Sequence, residues 1–142
     1  MEQYKIKTHT LTATLKKGPD IKDITHELQE CVSASNINNG TIHIFNRGST
    51  GSITTIEYEP GAVSDLKQAI ARLAPPGIEY AHELAWHDGN GHSHVQAALM
   101  GPSITLPIRN SKILLGTWQQ VVIVNHDNEP RNRKMEITIS GI

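Results

Sequence analysis

An α+β fold assembled as one domain is the architecture this sequence predicts, and three observations carry it. Stretches that alternate apolar and polar residues outnumber helical ones, two segments carry apolar residues at helical spacing, and no linker, repeat or low-complexity tract divides the 142 residues. A chain of this length holds one core and is short for two. The expectation is therefore a single domain over residues 1–142, a mainly antiparallel or mixed β-sheet with two main helices and a short third.

Taken in order, Tyr4 to Leu15 alternates β-formers with polar residues, among them Thr8, Thr10, Thr12 and Thr14, and reads as a long strand with one wet face. Lys16-Lys17-Gly18-Pro19 ends it. Ile21, Ile24, Leu28, Cys31 and Val32 then recur at helical spacing behind Asp20, which reads as an N-cap, so a first helix is expected from about Asp20 to Ala34. Asn38-Asn39-Gly40 signals a turn into a strand over Thr41–Phe45, and the loop Gly48–Gly51 leads to a strand over Ser52–Tyr58. Pro60 suits a first helical turn, and Val63, Leu66, Ile70 and Leu73 share one face of the helix that follows, which Pro75-Pro76-Gly77 stops. Val95 to Met100 is helix-compatible and halted by Gly101-Pro102, giving the short third helix. The remainder is β: Ser103–Ile108, a turn at Arg109–Ser111, Lys112–Leu115, Gln119–Asn125, a turn at Asp127–Pro130, and Arg133–Ser140.

The formal net charge is −1, so no global field favours nucleic acid or an anionic membrane, and any anion site must be local. Cys31, the one cysteine, excludes an internal disulfide and a cysteine-rich zinc site and fits a reducing compartment; its place on the apolar helix face predicts a buried thiol. The start, Met1 to Lys5, has no apolar signal core, and no apolar run approaches the roughly 20 residues that span a bilayer. A cytoplasmic protein with neither nucleic-acid nor membrane partner is expected.

The chemistry concentrates in His82-Glu-Leu-Ala-Trp-His87-Asp88-Gly-Asn90-Gly-His92-Ser-His94, which holds four of the eight histidines. Histidine titrates nearest neutrality and serves as acid, base or metal ligand, while Gly89 and Gly91 let backbone approach a bound group. His92 and His94 point the same way on a strand but roughly opposite ways on a helix. Zinc takes three protein ligands at sites that keep an open position, so His82, His92 and His94 are the expected metal set, with Asp88 able to complete it. His9, His26, His43 and His126 lack local chemistry and are expected to be structural. Ser49 and Thr50, between Gly48 and Gly51, are candidates for cradling a phosphate, as a turn that lacks the lysine of a P-loop. Glu57, alternating with Glu59, is a candidate base, whereas Glu59 suits the positive end of the following helix. Arg131 and Arg133, with Lys134, form a basic cluster fit for phosphate or for a solvated strand edge.

Leu114-Leu-Gly-Thr-Trp-Gln119, the turn Asp127–Pro130 with Arg131-Asn-Arg133-Lys134, and the Asn90 and His94 pair before Leu99-Met-Gly101-Pro-Ser-Ile-Thr-Leu-Pro107 together carry a resemblance. Over nearly its whole length the chain resembles the secondary thiamine-phosphate synthase family, long catalogued as uncharacterised. The resemblance implies a homotrimer with sites near subunit boundaries and a transferase joining hydroxymethylpyrimidine diphosphate to thiazole phosphate. His82, Asn90, His94, Glu57, Trp118 and Arg133 stand where the family pattern has its polar or aromatic residues; Glu57, Asn90 and His94 are expected to be catalytic, Trp118 to stack on a ring, and Ser49, Thr50, Arg131 and Arg133 to stabilise a departing diphosphate. Gly48 stands where many members carry a histidine, and His92 is an added imidazole. Two other functions suit the same residues: a non-catalytic trimer that binds metal or a small ligand, and a metal-dependent hydrolase acting through histidine-bound water.

Overall fold

A computed structural model describes residues 3–142, so residues 1 and 2 of the expected domain lie outside the described residues. In chain order the elements are β1 (Lys5–Leu15), β2 (Asp20–Asp23), α1 (Thr25–Ser35), β3 (Gly40–Asn46), β4 (Gly51–Ile56), α2 (Pro60–Leu73), α3 (Ala81–Trp86), α4 (Gly91–Met100), β5 (Ser103–Arg109), β6 (Lys112–Ile113), β7 (Gln120–Asn125) and β8 (Arg131–Gly141). A five-stranded sheet runs β1-β8-β3-β5-β6 and a three-stranded sheet runs β2-β7-β4, with every described pairing antiparallel. The α+β class holds.

The layers follow from which strand faces are apolar. In β7 the run Val121-Val122-Ile123-Val124 is buried throughout, which is what a strand covered on both faces requires. Val121 and Ile123 face inward with Ile53, meeting Ala13, Leu15, Ile42, Ile44, Ile137 and Ile139 of the larger sheet, while α1 closes the gap with Leu28 and Val32. Val122, Val124 and Ile21 face the other way and are covered by Val63 and Leu66 of α2 and Met100 of α4. Thus the small sheet is the central layer. The far face of the large sheet is polar, where Thr10 donates to Glu136 at 2.8 Å and Thr14 to Asn132 at 2.9 Å across the β1–β8 ladder.

Three sequence expectations need correction. The first helix starts at Thr25, not Asp20: Asp20–Asp23 forms β2, and the Asp20 carboxylate accepts from the Lys16 N–H at 2.8 Å instead of capping a helix. There are four described helices, because Ala81–Trp86 is helical and the segment of Val95 begins its helix at Gly91. Cys31 is only partly buried, packed at the margin of the main core. The Asn110-Ser111 turn forms as expected, a two-residue hairpin loop with φ of 51° and 66° between Arg109 and Lys112, the pattern of a type I′ turn. Among the described residues no helix is long and apolar enough to cross a membrane.

Candidate functional site

The site sits where the central sheet ends. Gly51 of β4 pairs with Asn125 of β7, so Thr50 and His126-Asp127 leave the sheet side by side, joined by His126 N–H to Thr50 C=O at 2.8 Å. Arg131 and Arg133, alternate residues of β8, reach the same place, and α3 and α4 complete it from above.

α3 and α4 bring the nitrogen atoms of His82 and His94 together. Their ring centroids are 4.5 Å apart and the rings are tilted by 48°. One ligand atom from each of His82, Asp88 and His94 lies within 4.8 Å of the others, with both imidazoles half-buried and Asp88 exposed. The loop presenting Asp88 is braced by a residue the sequence reading passed over. Glu83 accepts from the Gly89 N–H at 2.7 Å and the Gly91 N–H at 2.8 Å, and these bonds, the Gly89 one foremost, hold its carboxyl below the usual carboxylate range. Asn128 adds a third brace, donating to the Asp88 carbonyl at 2.7 Å.

His92 does not join this set. It lies on α4 two residues before His94, and at 3.6 residues per turn that separation sends the two rings to different faces. Its ring borders a separate cavity of about 240 Å³ beside His126 and Asn128, and burial lowers its pKa. Of the three histidines expected to converge, the structure brings together His82 and His94, with Asp88 beside them in place of His92.

Below the cluster a cavity of about 270 Å³ is lined by the Gly48–Thr50 loop, Asp88, Asn90, His94, Asp127, Arg131 and Arg133. Arg133 is its floor, 6% exposed, with Nη2 donating to Thr50 Oγ1 at 2.7 Å and Asn125 Oδ1 at 2.6 Å. Nη1 faces Gly48: a Cβ there would lie 3.3 Å from it, and φ of +113° at this residue suits glycine. Burial lowers the Arg133 pKa, yet a guanidinium stays charged at neutral pH. Arg131 is differently placed, half-exposed and paired with Asp127 at 3.0 Å and Glu129 at 3.7 Å.

Asp127, in the turn expected over Asp127–Pro130, is the hub of the site. It is 2% exposed and accepts from Thr50 Oγ1 at 2.9 Å, Asn90 Nδ2 at 3.2 Å, the Glu129 N–H at 3.0 Å and Arg131 Nε. Burial alone would raise its pKa, but the bonds from Arg131, Thr50 and Asn90 outweigh it and bring the net shift down. Asn90 is committed as well, its Oδ1 accepting from Ser93 at 2.8 Å and the Asn128 N–H at 3.0 Å. The side chain expected to be catalytic therefore holds the loop in place. Ser49 remains exposed on the rim.

Glu57 and Trp118 lie elsewhere. Ile56 pairs with Gln120, so both residues flank the opposite end of β4 and β7, about 20 Å away at the rise of a six-residue strand. Trp118 is 74% exposed and stacks on nothing in the cavity. The expected roles of both as site residues are not met within one chain, because β4 separates them from the cavity along its whole length.

A three-layer α+β fold with a histidine and carboxylate cluster above a guanidinium-floored cavity defines a small protein whose polar site is built on sheet ends and one loop. Its lineage is equally definite. The chain belongs to the family described as UPF0047 protein YjbQ-like, whose model matches residues 9–142. It is 33% identical over 141 residues to a UPF0047 protein of Methanothermobacter thermautotrophicus, covering 99% of this chain and 94% of that one. It is 29% identical to the UPF0047 protein YugU of Bacillus subtilis, covering 93% and 98%. A crystal structure of a YbjQ-like protein of unknown function from Sulfolobus solfataricus matches at a TM-score of 0.94 and 28% identity, covering 99% of this chain and all of that one.

These matches correct the sequence-based assignment. The family description and the names of these relatives carry no thiamine chemistry, so the thiamine-phosphate synthase identity and the transferase activity inferred with it are withdrawn. The names give no better support to the hydrolase or to the non-catalytic trimer.

Proposed function

We propose that this chain binds a divalent metal ion, zinc by preference, through His82, Asp88 and His94, and holds the oxyanion of a small phosphorylated molecule beside it, against Arg133 and the Gly48–Thr50 loop. The observation that carries the reading is the meeting of three ligand atoms within 4.8 Å at the rim of a cavity floored by a buried guanidinium. Two imidazoles and a carboxylate suit zinc, and three protein ligands would leave it a further position for solvent or substrate. On the metal side, two carboxylates flank one ring nitrogen, His82 Nδ1 standing 3.4 Å from Asp88 Oδ1 and 3.5 Å from Glu83 Oε1. On the anion side, Arg131 is neutralised by Asp127 and Glu129, while Arg133 has neutral oxygens on Nη2 and keeps Nη1 toward the loop. When bound, a metal would supply an electrophile next to the anion.

Zinc competition against a chromophoric chelator tests the first half. His94→Ala is expected to weaken zinc binding by about a hundredfold or more, since loss of a direct ligand exceeds the ~10–100-fold cost of an outer-shell change. Equal zinc affinity in native protein and His94→Ala overturns the metal site. Calorimetry with inorganic phosphate on zinc-titrated protein tests the second half. Arg133→Lys is expected to bind phosphate roughly ten- to a hundredfold more weakly, because a compact ammonium lacks the planar fork that bonds Thr50 and Asn125 through Nη2 while aiming Nη1 at the loop. Phosphate affinity unchanged in this variant, with its fold intact, overturns the anion assignment.

A further inference from the structure

We infer that the ligand of this site is amphipathic: beside its oxyanion it carries one compact apolar group, seated between α4 and the Gly48–Gly51 loop. The inference rests on the metal and anion reading above and names the ligand class of that same site. A second cavity of about 210 Å³ adjoins the first, walled by the backbone of Gly48 and Gly51 and the small side chains of Ala97, Ala98 and Pro102. Gly48, Ser49 and His94 border both cavities, so one molecule can pass His94 from the first into the second. Their linings contrast. The first has Asp127, Arg131 and Arg133, whereas the second has no Asp, Glu, Lys or Arg side chain. Taken together the two approach the roughly 300–1,000 Å³ scale of small-ligand sites, where apolar walls supply affinity and a few polar groups fix orientation.

An independent observation lies behind Gly51. Asn46 is fully buried with neither Oδ1 nor Nδ2 partnered, and Arg133 Nε is buried and unpartnered as well. A Cβ at Gly51 would fall 2.6 Å from Asn46 Nδ2 and 3.0 Å from Arg133 Nε, so these atoms pack directly behind the Gly51 wall of the second cavity. Buried polar groups left without partners are costly, and the missing Cβ at Gly51 leaves only backbone between this set and the second cavity. With the oxyanion held by Arg133 and the Gly48–Thr50 loop in the first cavity, the remainder of the molecule extends past His94 over Ala97 and Ala98. Those two alanines then set its size.

The test compares two probes with the same head group, methylphosphonate and phenylphosphonate, by calorimetry on native protein with one equivalent of zinc and on Ala98→Leu. Ala98 is exposed on α4 and leucine is a strong helix former, so the substitution fills the cavity with the helix kept. Native protein is expected to bind phenylphosphonate about tenfold more tightly than methylphosphonate, the scale of burying part of one ring. In Ala98→Leu that preference is expected to vanish. A native preference near unity, or a preference that survives in Ala98→Leu, overturns the inference and leaves the anion reading standing. Absence of binding by both phosphonates removes the anion reading and this inference with it.

Discussion

Asp127→Ala is expected to destabilise the protein by roughly 3–5 kcal/mol, the scale for removing one partner from a buried charged network. Four donors converge on this carboxylate, and its loss leaves Thr50, Asn90, the Glu129 N–H and Arg131 without their acceptor. Arg133 suffers too, since Thr50 uses the same hydroxyl to accept from Arg133 Nη2 and to donate to Asp127. Asp127→Asn should fall between native and alanine: an amide oxygen can still accept from Asn90 and Glu129, but its NH₂ meets the Arg131 donor. Urea denaturation with an unchanged slope provides the measurement. A loss below about 1 kcal/mol for Asp127→Ala, the range of a single ordinary hydrogen bond, would show that the hub is decorative.

The second large effect is a loss of stability in mild acid, set by His126. The ring is buried, with Nδ1 2.9 Å from Gln96 Oε1 and Nε2 2.8 Å from Ser52 Oγ. Gln96 donates through its NH₂ to the Ala74 carbonyl at 2.9 Å, which fixes Oε1 as the acceptor of the Nδ1–H. Nε2 therefore accepts from Ser52 in a neutral ring. Burial, helped by the charge of Arg133, lowers the His126 pKa from 6.5 to about 4. The unfolded chain thus binds a proton that the fold refuses between those values. Stability from this group is fully present above pH 6.5, drains away as pH falls toward about 4, and is flat below; the total is roughly 3 kcal/mol. Asp127 acts in a lower window, since its depressed pKa yields stability that is lost only as pH falls below its ordinary value of 3.8. Unfolding free energies at pH 7, 5.5 and 4.5 should therefore fall more steeply for native protein than for His126→Gln. Parallel slopes in the two proteins would contradict the assignment, whatever their absolute stabilities; His92, whose pKa is also lowered, remains in both and cancels.

Much of the fold is legible in the sequence because its strands obey local rules. β1 alternates buried and exposed residues from Leu11 to Leu15, α2 carries a proline in its first turn, and the Asn110-Ser111 turn forms the hairpin loop. Glu59 caps α2, accepting from the N–H groups of Gly61 and Ala62 at 2.7 and 2.8 Å, as its position before Pro60 suggests. β2 is not legible: Ile21 and Ile24 fit a helical stripe equally well, and only β7, a hundred residues on, makes Asp20–Asp23 a strand. The site divides similarly. The histidine segment announces its own chemistry, but the choice between His92 and Asp88 depends on whether the chain there is helix or strand, which a segment with two glycines does not disclose. Asp127 and Glu83 escape notice because their work is long-range or directed at backbone, and neither has a neighbour in sequence that betrays it. Glu57 and Trp118 show the converse failure, as residue types suited to chemistry carry no information on which end of a strand they occupy.

The position of β8 has a consequence for how this chain comes to be folded. It is the last strand in order, yet it lies inside the larger sheet with β1 on one side and β3 on the other. Lys5 pairs with Gly141, so the earliest strand waits for the latest before it has any ladder partner among the described residues. While the chain is being synthesised, the larger sheet lacks an interior strand, and β1 is a free ribbon whose threonines and lysines resist wrong pairings. Contacts so distant in sequence make folding slow and late. They also make it indivisible, for the strand that closes the sheet is the one that brings Arg133 to the cavity, so no stretch of this protein acquires the site before the whole of it has folded.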